Sequence, residues 1–171
     1  MGKSYEKEFL RFYDQHADGI FRFCLFKVYD REQAKDLTQE TFLKTWEYLS
    51  SGKVVENIKS LAYRIALNLI IDRSRKKNPE SSLEQLQENG FEPETKKDLV
   101  KEIGLQIELK KVFSALNELE PIYREAVTLR YIHELDPKEI SQVLNESENV
   151  VSVRISRGTK QLRQLLKKYE F

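Results

Sequence analysis

The sequence predicts an all-α protein made of two small helical domains, and three observations support this fold class. Its 171 residues contain only six glycines and four prolines. Apolar residues recur at intervals of three and four, the spacing of helices with one buried face, without strand-like alternation. Residues 78–98 are rich in turn formers and predict a flexible acidic linker. The predicted domains are therefore 1–77 and 99–171, the second ending in a helix-turn-helix.

Composition excludes several classes of protein. A hydrophobic content of 40% supports packed cores, and a charged content of 33% is high but not that of a disordered chain. The polar start of the chain predicts no signal peptide, and no apolar run is long enough to cross a membrane. A single cysteine, Cys24, excludes an internal disulfide and is expected to be a buried hydrophobe. A reducing, cytoplasmic compartment is expected.

Charge is unevenly distributed along a chain whose net charge is only +1. Residues 64–77 hold five basic side chains and one acid, a net charge of +4. Residues 147–171 hold six basic side chains and two acids, again +4, whereas 78–98 carry −4. Two basic segments separated by an acidic one predict two contacts with a polyanion.

Three helices are predicted in the first domain. The first covers about residues 5–28 and is expected to be loosened near Ala17-Asp18-Gly19. The second covers about residues 30–49, with Asp30 as its N-cap and Gln33 at the capping-box position. The third covers about residues 57–76. Its predicted core face consists of Ile58, Leu61, Ile65, Leu69 and Ile70.

The second helix carries an acidic and amide face beside large apolar side chains. Asp36, Gln39 and Glu40 lie largely opposite the apolar stripe. Such a face suits a partner with basic residues, and the simpler alternative is a solvated helix surface. The apolar stripe consists of Ala34, Leu37, Phe42, Trp46 and Leu49.

Polar and basic residues crowd one end of the third helix. Asn68 and Asp72 are one turn apart and share a face, where an amide can bond base edges while basic neighbours hold the backbone. The loop of residues 50–57 precedes this helix and can accept an unstacked base. The alternative is that Asn68 is an interior amide and that the basic cluster complements the helix C-terminus. The cluster consists of Arg73, Arg75, Lys76 and Lys77.

In the second domain, cap residues and prolines give strong signals for where helices begin and end. The first helix is predicted from about Leu99 to Asn117, and Glu120-Pro121 begins another that ends near His133. Asp136-Pro137 repeats the cap-plus-proline signal for a short helix ending near Leu144. Asn145 is expected in the left-handed conformation, and Ser147 is expected to cap a last helix ending near Tyr169.

A short helix, a brief turn and a longer helix form the layout of a DNA-reading unit between residues 136 and 160. The start of the long helix at Ser147 offers free N–H groups to a phosphate. The alternative is an ordinary pair of packed helices with a basic solvated face. The residues expected to point outward are Ser152, Arg154, Ser156, Arg157 and Lys160.

Together these features resemble the extracytoplasmic-function (ECF) group of bacterial RNA polymerase sigma factors. The resemblance rests on segments 34–42, 63–73 and 116–166 in this order, and it extends over about residues 9–166. It implies a transcription initiation factor, not an enzyme, that binds core RNA polymerase and directs it to promoters. It also implies contacts with the −10 and −35 elements, help in opening the DNA strands, and no cofactor or metal.

The resemblance also implies roles for individual residues. Docking on the clamp coiled coil of the polymerase β′ subunit is implied for Asp36, Leu37, Gln39, Glu40 and Phe42. Contact with the −10 element is implied for Asn57, Asn68, Asp72, Arg73, Arg75 and Lys76, with the 50–57 loop capturing a flipped base. Contact with the −35 element is implied for Ser147, Ser152, Val153, Arg154, Ser156, Arg157 and Lys160. Further implied partners are the polymerase β flap and an anti-sigma factor, with the linker following the polymerase channels.

The chain departs from the pattern of this group at several positions. Ile58 and Leu61 stand where many relatives have Phe and Trp, which weakens any expectation of stacking on the melted strand. Asn149-Val150-Val151 replaces Gly-Thr-Val, so a threonine contact with phosphate is lost. Val153 replaces a polar residue and either touches a thymine methyl or packs inside.

Two other classes of function compete with this interpretation. A dimeric transcription regulator would have a reader domain much like residues 99–169, but the N-terminal half contains no recognisable ligand or phosphoacceptor domain. An enzyme is disfavoured because His16 and His133 lack metal-ligand spacing and no nucleophile motif or phosphate loop occurs.

Overall fold

The computed structural model describes residues 2–77 and 107–169, with side chains from 5–77 and 110–169. The helices of the first part are α1 (Gly2–Val28), α2 (Arg31–Ser50) and α3 (Ile58–Lys77). Those of the second are α4 (Ile107–Glu118), α5 (Pro121–Tyr131), α6 (Pro137–Leu144) and α7 (Glu148–Tyr169). The all-α prediction is confirmed. The predicted linker, 78–98, and the predicted helix start at Leu99 lie outside the described residues.

The helices belong to two compact units. In the first, α1, α2 and α3 each contact the other two. The second contains α4, α5, the start of α6 and α7, and α7 contacts both α4 and α5. Within the described ranges, no helix combines the length and apolar character needed to span a membrane.

The first helix is continuous from Gly2 to Val28, so the loosening predicted near Ala17-Asp18-Gly19 is wrong. A Cβ added at Gly19 would lie 3.2 Å from the Tyr63 hydroxyl of α3. Gly19 therefore makes room for a neighbouring helix. Its cost to the helix, about 1 kcal/mol relative to alanine, is small compared with the packing of the three helices.

The N-cap predicted for α2 is confirmed. The Asp30 carboxylate accepts a hydrogen bond from the backbone N–H of Gln33 at 2.9 Å. The Gln33 side chain donates from Nε2 to the second oxygen of Asp30 at 3.0 Å. Its Oε1 accepts from Lys77 Nζ at 2.9 Å, which links the start of α2 to the end of α3.

This cap predicts a pH-dependent contribution to stability. The hydrogen bonds from Gln33 hold the pKa of Asp30 below its ordinary value of 3.8. A lowered pKa in the folded state means that the contribution is complete above the unfolded value and lost as pH falls through the folded one. We expect Asp30→Ala to lower the free energy of unfolding by about 1 kcal/mol at neutral pH.

The measurement is denaturant unfolding of the full chain, followed by circular dichroism between neutral pH and pH values below 3.8. The difference in free energy of unfolding between wild type and Asp30→Ala should become smaller as the solution is acidified. Asp14→Ala, which removes an exposed carboxylate from α1, is the control and should change little. A gap that stays constant with pH would show that the carboxylate does not act as the cap.

The buried side of α2 agrees with the predicted stripe, with one exception. Trp46 is only half-buried and lies beside Phe9, with ring centroids 5.1 Å apart. Two buried threonines complete the face, and the apolar pattern did not mark them. The hydroxyl of Thr41 donates to the Leu37 carbonyl at 2.6 Å, and that of Thr45 donates to the Thr41 carbonyl at 2.7 Å. Because each hydroxyl finds a carbonyl one turn back, both threonines can be buried without an unsatisfied group.

The core face predicted for α3 is wrong by about one residue, which is about 100° around a helix. Ile58, Leu61, Ile65 and Leu69 are only half-buried, whereas Ile70 is buried as predicted. The buried face instead consists of Ser60, Ala62, Tyr63, Ala66, Ile70 and Ser74. Small side chains let α3 approach α1 and α2 closely, so the larger aliphatic residues lie at the edges of the contact.

Capping residues and a proline mark the ends of the helices in the second unit. Pro121 begins α5, which ends at Tyr131 and not as far along as His133. Asp136 and Glu139 form a complete capping box at the start of α6. Asn145 ends α6 with φ 55° and ψ 44°, and the Ser147 hydroxyl accepts a bond from Val150 N at 3.2 Å. The predicted caps of α6 and α7 are thus confirmed.

One hydrophobic cluster of the second unit lies between α4, α5 and α7. Leu116, Leu119 and Val127 are buried there. The Arg124 guanidinium donates to the carbonyls of Asn117 and Leu119 at 2.8 and 3.0 Å, which ties the end of α4 to α5. Further apolar contact comes from Val112, Leu162 and Leu165.

Candidate nucleic-acid and partner interfaces

One face of α2 points to solvent and combines acidic, amide and apolar side chains. We call it the outer face of α2 and define it as Asp36, Gln39, Leu43 and Glu47, which are exposed and spaced three or four residues apart. Leu43 is 57% exposed at the centre of this face. It was not among the predicted site residues, although its spacing of four from Gln39 would have indicated it.

Two residues predicted on this surface lie inside the first unit. Leu37 is fully buried, and Phe42 is 5% exposed. The Phe42 ring packs against Tyr13 and Phe12, with centroid distances of 4.7 and 5.7 Å. Both side chains support the outer face of α2 from beneath. In the free protein they offer almost no contact area of their own.

Glu40 lies at the border between α2 and α3. Its carboxylate is 3.9 Å from the Arg73 guanidinium, and both side chains are partly exposed. Burial raises the pKa of the Cys24 thiol to about 11, against the lowering effects of the Thr38 hydroxyl and of the Arg73 charge. Arg73 of α3 therefore lies beside α2, and Cys24 is the buried hydrophobe expected from the sequence.

The exposed side of α3 carries the amide and carboxylate predicted to share a face. Asn68 and Asp72 are both exposed, so the alternative of an interior amide at Asn68 is excluded. Arg75 lies 4.0 Å from the Asp72 carboxylate and is also exposed. Lys76 is exposed on the last turn. Asn68, Asp72, Arg75 and Lys76 thus reach solvent, whereas Arg73 faces α2.

The loop between α2 and α3 presents one apolar side chain. Gly52 has a φ of 75°, which only glycine adopts without strain. The Lys53 ammonium lies 4.8 Å from the centre of the Tyr48 ring. Val54 follows and is 96% exposed. Asn57 ends the loop by accepting a bond from Ser60 N at 2.9 Å, so its side chain caps α3.

The exposed side of α7 contains five of the seven residues predicted for −35 contact: Ser152, Val153, Ser156, Arg157 and Lys160. Val153 is 46% exposed, so it does not pack inside. Arg154 lies at the edge of this surface, and its guanidinium donates to the Glu146 carboxylate at 2.9 Å across the turn. Ser147 is exposed but uses its hydroxyl as the cap of α7.

Both units match known protein families. The family described as sigma-70 region 2 matches residues 12–80. The family described as sigma-70 region 4 matches residues 109–162. The match to region 2 covers most of α1 and all of α2 and α3, and the match to region 4 covers most of α4 to α7.

Relatives and solved structures agree with these matches. The chain is 30% identical over 167 residues to the ECF RNA polymerase sigma factor SigW of Bacillus subtilis, covering 90% of this chain and 86% of SigW. It is 31% identical over 155 residues to SigM of the same organism, covering 90% and 91%. The fold resembles the sigma factor RpoE in complex with the anti-sigma factor NepR from Bartonella quintana, with a TM-score of 0.67 and 21% identity over 94% and 98% of the two chains.

Proposed function

The chain belongs to the ECF group of RNA polymerase sigma factors, and from this premise we propose which of its residues perform each step of initiation. It is a non-catalytic subunit that directs RNA polymerase to promoters, with region 2 binding the −10 element and region 4 the −35 element. We assign residues 1–77 to the first task and 99–171 to the second, with 78–98 as the connecting segment. The cytoplasm, where core polymerase acts, is the proposed site of action.

The residue assignments rest on one observation: neighbouring helices expose surfaces of different chemical character. In the first unit, the outer face of α2 is acidic and partly apolar, whereas the end of α3 is basic. One surface suits a basic protein partner and the other suits a polyanion. In the second unit, α7 exposes hydroxyls and cations on one side. A polymerase subunit that also contacts promoter DNA requires both kinds of surface.

The outer face of α2 is our proposed attachment to the clamp coiled coil of the β′ subunit. Asp36 and Gln39 supply a carboxylate and an amide, and Leu43 supplies exposed apolar area between them and Glu47. An apolar centre with a polar surround is the usual anatomy of a protein interface. Leu37 and Phe42 contribute by holding α2 in place, and Glu40 lies at the border of this surface.

The −10 element is proposed to meet the exposed side of α3. Asn68 offers an amide for base edges, and Arg75 and Lys76 offer charge for the backbone. Asn57 and Arg73 are proposed to act by holding α3 in place, because Asn57 caps α3 and Arg73 faces Glu40 of α2. Asp72 holds Arg75 at the same surface.

The −35 element is proposed to receive α7 in its major groove. Ser152, Ser156 and Arg157 can bond base edges or phosphates, and the exposed methyls of Val153 suit a thymine methyl. Lys160 is assigned to phosphate. Ser147 places the N–H groups at the start of α7 towards a phosphate. Arg154 is assigned to holding the turn through Glu146.

Arg157→Ala tests whether this residue reads a base. We expect a loss of about 1–3 kcal/mol in −35-dependent initiation, concentrated at one position of the element. The measurement is transcription by the variant and core polymerase from a library of −35 sequences. Arg154→Ala should instead weaken initiation from all −35 sequences alike, because it loosens the turn between α6 and α7. A uniform loss for Arg157→Ala would reassign it to phosphate.

The function itself is tested by reconstitution. The purified chain and its cognate core polymerase should start transcripts at defined sites in a broad promoter library, whereas core alone should not. A dimeric regulator would instead shift operator DNA without polymerase. Absence of promoter-dependent transcripts, together with tight DNA binding by the chain alone, would favour that second class of function.

Regulation by another protein is proposed by analogy with the solved relatives. RpoE of Bartonella quintana was solved with the anti-sigma factor NepR, and CnrH with the cytosolic domain of CnrY. We propose that an anti-sigma factor binds this chain, that its second unit contacts the β flap, and that acidic residues 78–98 follow a basic polymerase channel. A protein captured from cells should compete with core polymerase for the chain; simultaneous binding of both would contradict an anti-sigma role.

A further inference from the structure

Two polar contacts form a seam between α2 and α3. The Arg73 guanidinium of α3 lies 3.9 Å from the Glu40 carboxylate of α2. One turn further along α3, the Lys77 ammonium donates to Oε1 of Gln33 at 2.9 Å. The free chain therefore holds two cations from the basic end of α3 against α2. A guanidinium that is paired with a carboxylate is less available to a phosphate, because the two charges attract each other.

The seam lies directly beside the outer face of α2. Asp36 of that face comes three residues after Gln33 and four before Glu40, and residues at these spacings are neighbours on a helix surface. A basic partner that docks at Asp36 therefore brings its cations close to the Glu40 carboxylate as well. The side chains of Glu40 and Arg73 are 41% and 31% exposed, so a partner can reach the carboxylate without opening the core.

The Glu40–Arg73 pair is weak enough to be exchanged. Its nitrogen and oxygen are 3.9 Å apart, beyond hydrogen-bond distance, and exposed ion pairs contribute little to stability. A partner cation at closer range can replace the guanidinium, which then turns to solvent near the exposed Lys76. The two helices stay together during this exchange, because Lys77 remains bonded to Gln33 and the buried face of α3 is not involved.

We propose that the Glu40–Arg73 pair couples attachment to core polymerase with binding of the −10 element: the partner takes Glu40, and the released Arg73 becomes a phosphate contact. The inference rests on the proposed function, in which α2 meets core polymerase and α3 meets the −10 element. A ligand that prefers one of two states shifts the equilibrium towards that state, so docking favours the state in which Arg73 faces DNA. Linkage makes the effect reciprocal, and bound −10 DNA raises the affinity for core polymerase by the same factor.

Glu40→Gln in the full chain imitates the released state, because the amide keeps the shape of the side chain and removes its charge. The probes are labelled single-stranded oligonucleotides that carry either strand of a −10 element defined by reconstituted transcription. Their affinity is measured over a range of KCl concentrations. Without core polymerase, Glu40→Gln should bind the preferred strand about two- to fivefold more tightly than the wild type, which corresponds to the strength of an exposed ion pair. The slope of log affinity against log salt should steepen by about 0.7, the value for one phosphate contact on a single strand.

Three comparisons connect this effect to the contact. Glu32→Gln makes the same charge change on α2 and breaks an exposed ion pair with Lys35 that does not involve α3, so it should bind the probe like the wild type. In the Arg73→Gln background, Glu40→Gln should give no gain, because no guanidinium is left to release. In holoenzyme with core polymerase in excess, Glu40→Gln and wild type should bind the probe equally, since the partner already occupies Glu40 of the wild type.

The opposite results would contradict the coupling. Equal affinities of Glu40→Gln and Glu32→Gln for the probe would overturn it, and so would a gain that persists in the Arg73→Gln background. A gain of full size in holoenzyme would also overturn it, because core polymerase would then not take Glu40. Failure of the proposed function would show itself separately, because wild-type holoenzyme would then give no promoter-dependent transcripts. Circular dichroism of each variant checks that its helix content is retained.

Discussion

Asp36→Lys is expected to weaken strongly the association of this chain with core RNA polymerase while leaving its fold intact. Asp36 is exposed on the outer face of α2, so the substitution removes no buried contact. It places a cation where the proposed partner surface is basic, and like charges across an interface cost several kcal/mol, about 2–5 here. The expected loss in affinity is therefore at least about 30-fold.

Affinity is measured by titrating labelled full-length chain with core polymerase. Asp14→Lys is the matched control, because it makes the same charge change at an exposed position of α1. It should bind core like the wild type. Equal losses in both variants would indicate a general charge effect, and an unchanged affinity for Asp36→Lys would refute docking through α2. Leu43→Ala should give a smaller loss, since it removes apolar area without introducing repulsion.

Glu40 is unsuitable for the same charge reversal, and the reason is visible only in the structure. Its carboxylate lies 3.9 Å from the Arg73 guanidinium. A lysine at position 40 would bring two cations together between α2 and α3, so any loss of core binding would be mixed with a disturbed helix junction. Glu40→Gln avoids this, because the amide removes the charge and keeps the shape.

Gly158→Val is expected to destabilise the second unit by about 3 kcal/mol or more. The cost of overpacking and the cost of a β-branched side chain in a helix add together where α7 packs closely against α5. A Cβ at this position would lie 2.7 Å from Val127 Cγ2 and 3.2 Å from the Tyr123 carbonyl oxygen. Gly158 is therefore the point where α7 lies against α5. Gly158→Ala should also destabilise this unit, because the close contact of the added methyl group costs more free energy than the higher helix propensity of alanine, about 1 kcal/mol, contributes.

Unfolding of the full chain by denaturant measures this effect. A double-mutant cycle identifies the clash, because Val127→Ala removes the nearest methyl and should reduce the cost of Gly158→Ala. Strict additivity of the two substitutions would mean that this contact is not the cause. Arg157→Ala is the control, since its exposed side chain should affect promoter choice and leave stability within about 0.5 kcal/mol.

Local signals in the chain were sufficient wherever a few neighbouring residues decide the geometry. Asp30, Asp136 and Ser147 cap helices as predicted, because each places an oxygen beside the backbone N–H three residues on. Asn145 takes the left-handed conformation for the same local reason. The exposed residues of α3 and α7 also agree with prediction in most cases, since charged and amide side chains seldom lie inside a small domain.

Errors arose wherever a residue's role depends on a distant helix. The sequence predicts a loosened helix at Gly19 of α1, although this glycine makes room for Tyr63. The large aliphatic residues of α3 predict its core face, but close packing on two helices brings four small residues there, together with Tyr63 and Ile70. Leu37 and Phe42 belong to a surface motif by sequence and to the core by packing. Spacing alone does not distinguish these cases, because it contains no information on how closely neighbouring helices approach.

The all-α class, the helix-turn-helix, the order of the motifs and hence the family follow from the amino-acid sequence, because these depend on periodicity and short-range hydrogen bonds. Helix packing sets which predicted site residues reach solvent and which are held by partners. It turns Arg73 towards Glu40 and Arg154 towards Glu146, and it brings Lys77 of α3 to Gln33 of α2. The physical reason is that exposure and ion pairing are properties of packed helices, set by residues far apart in the chain.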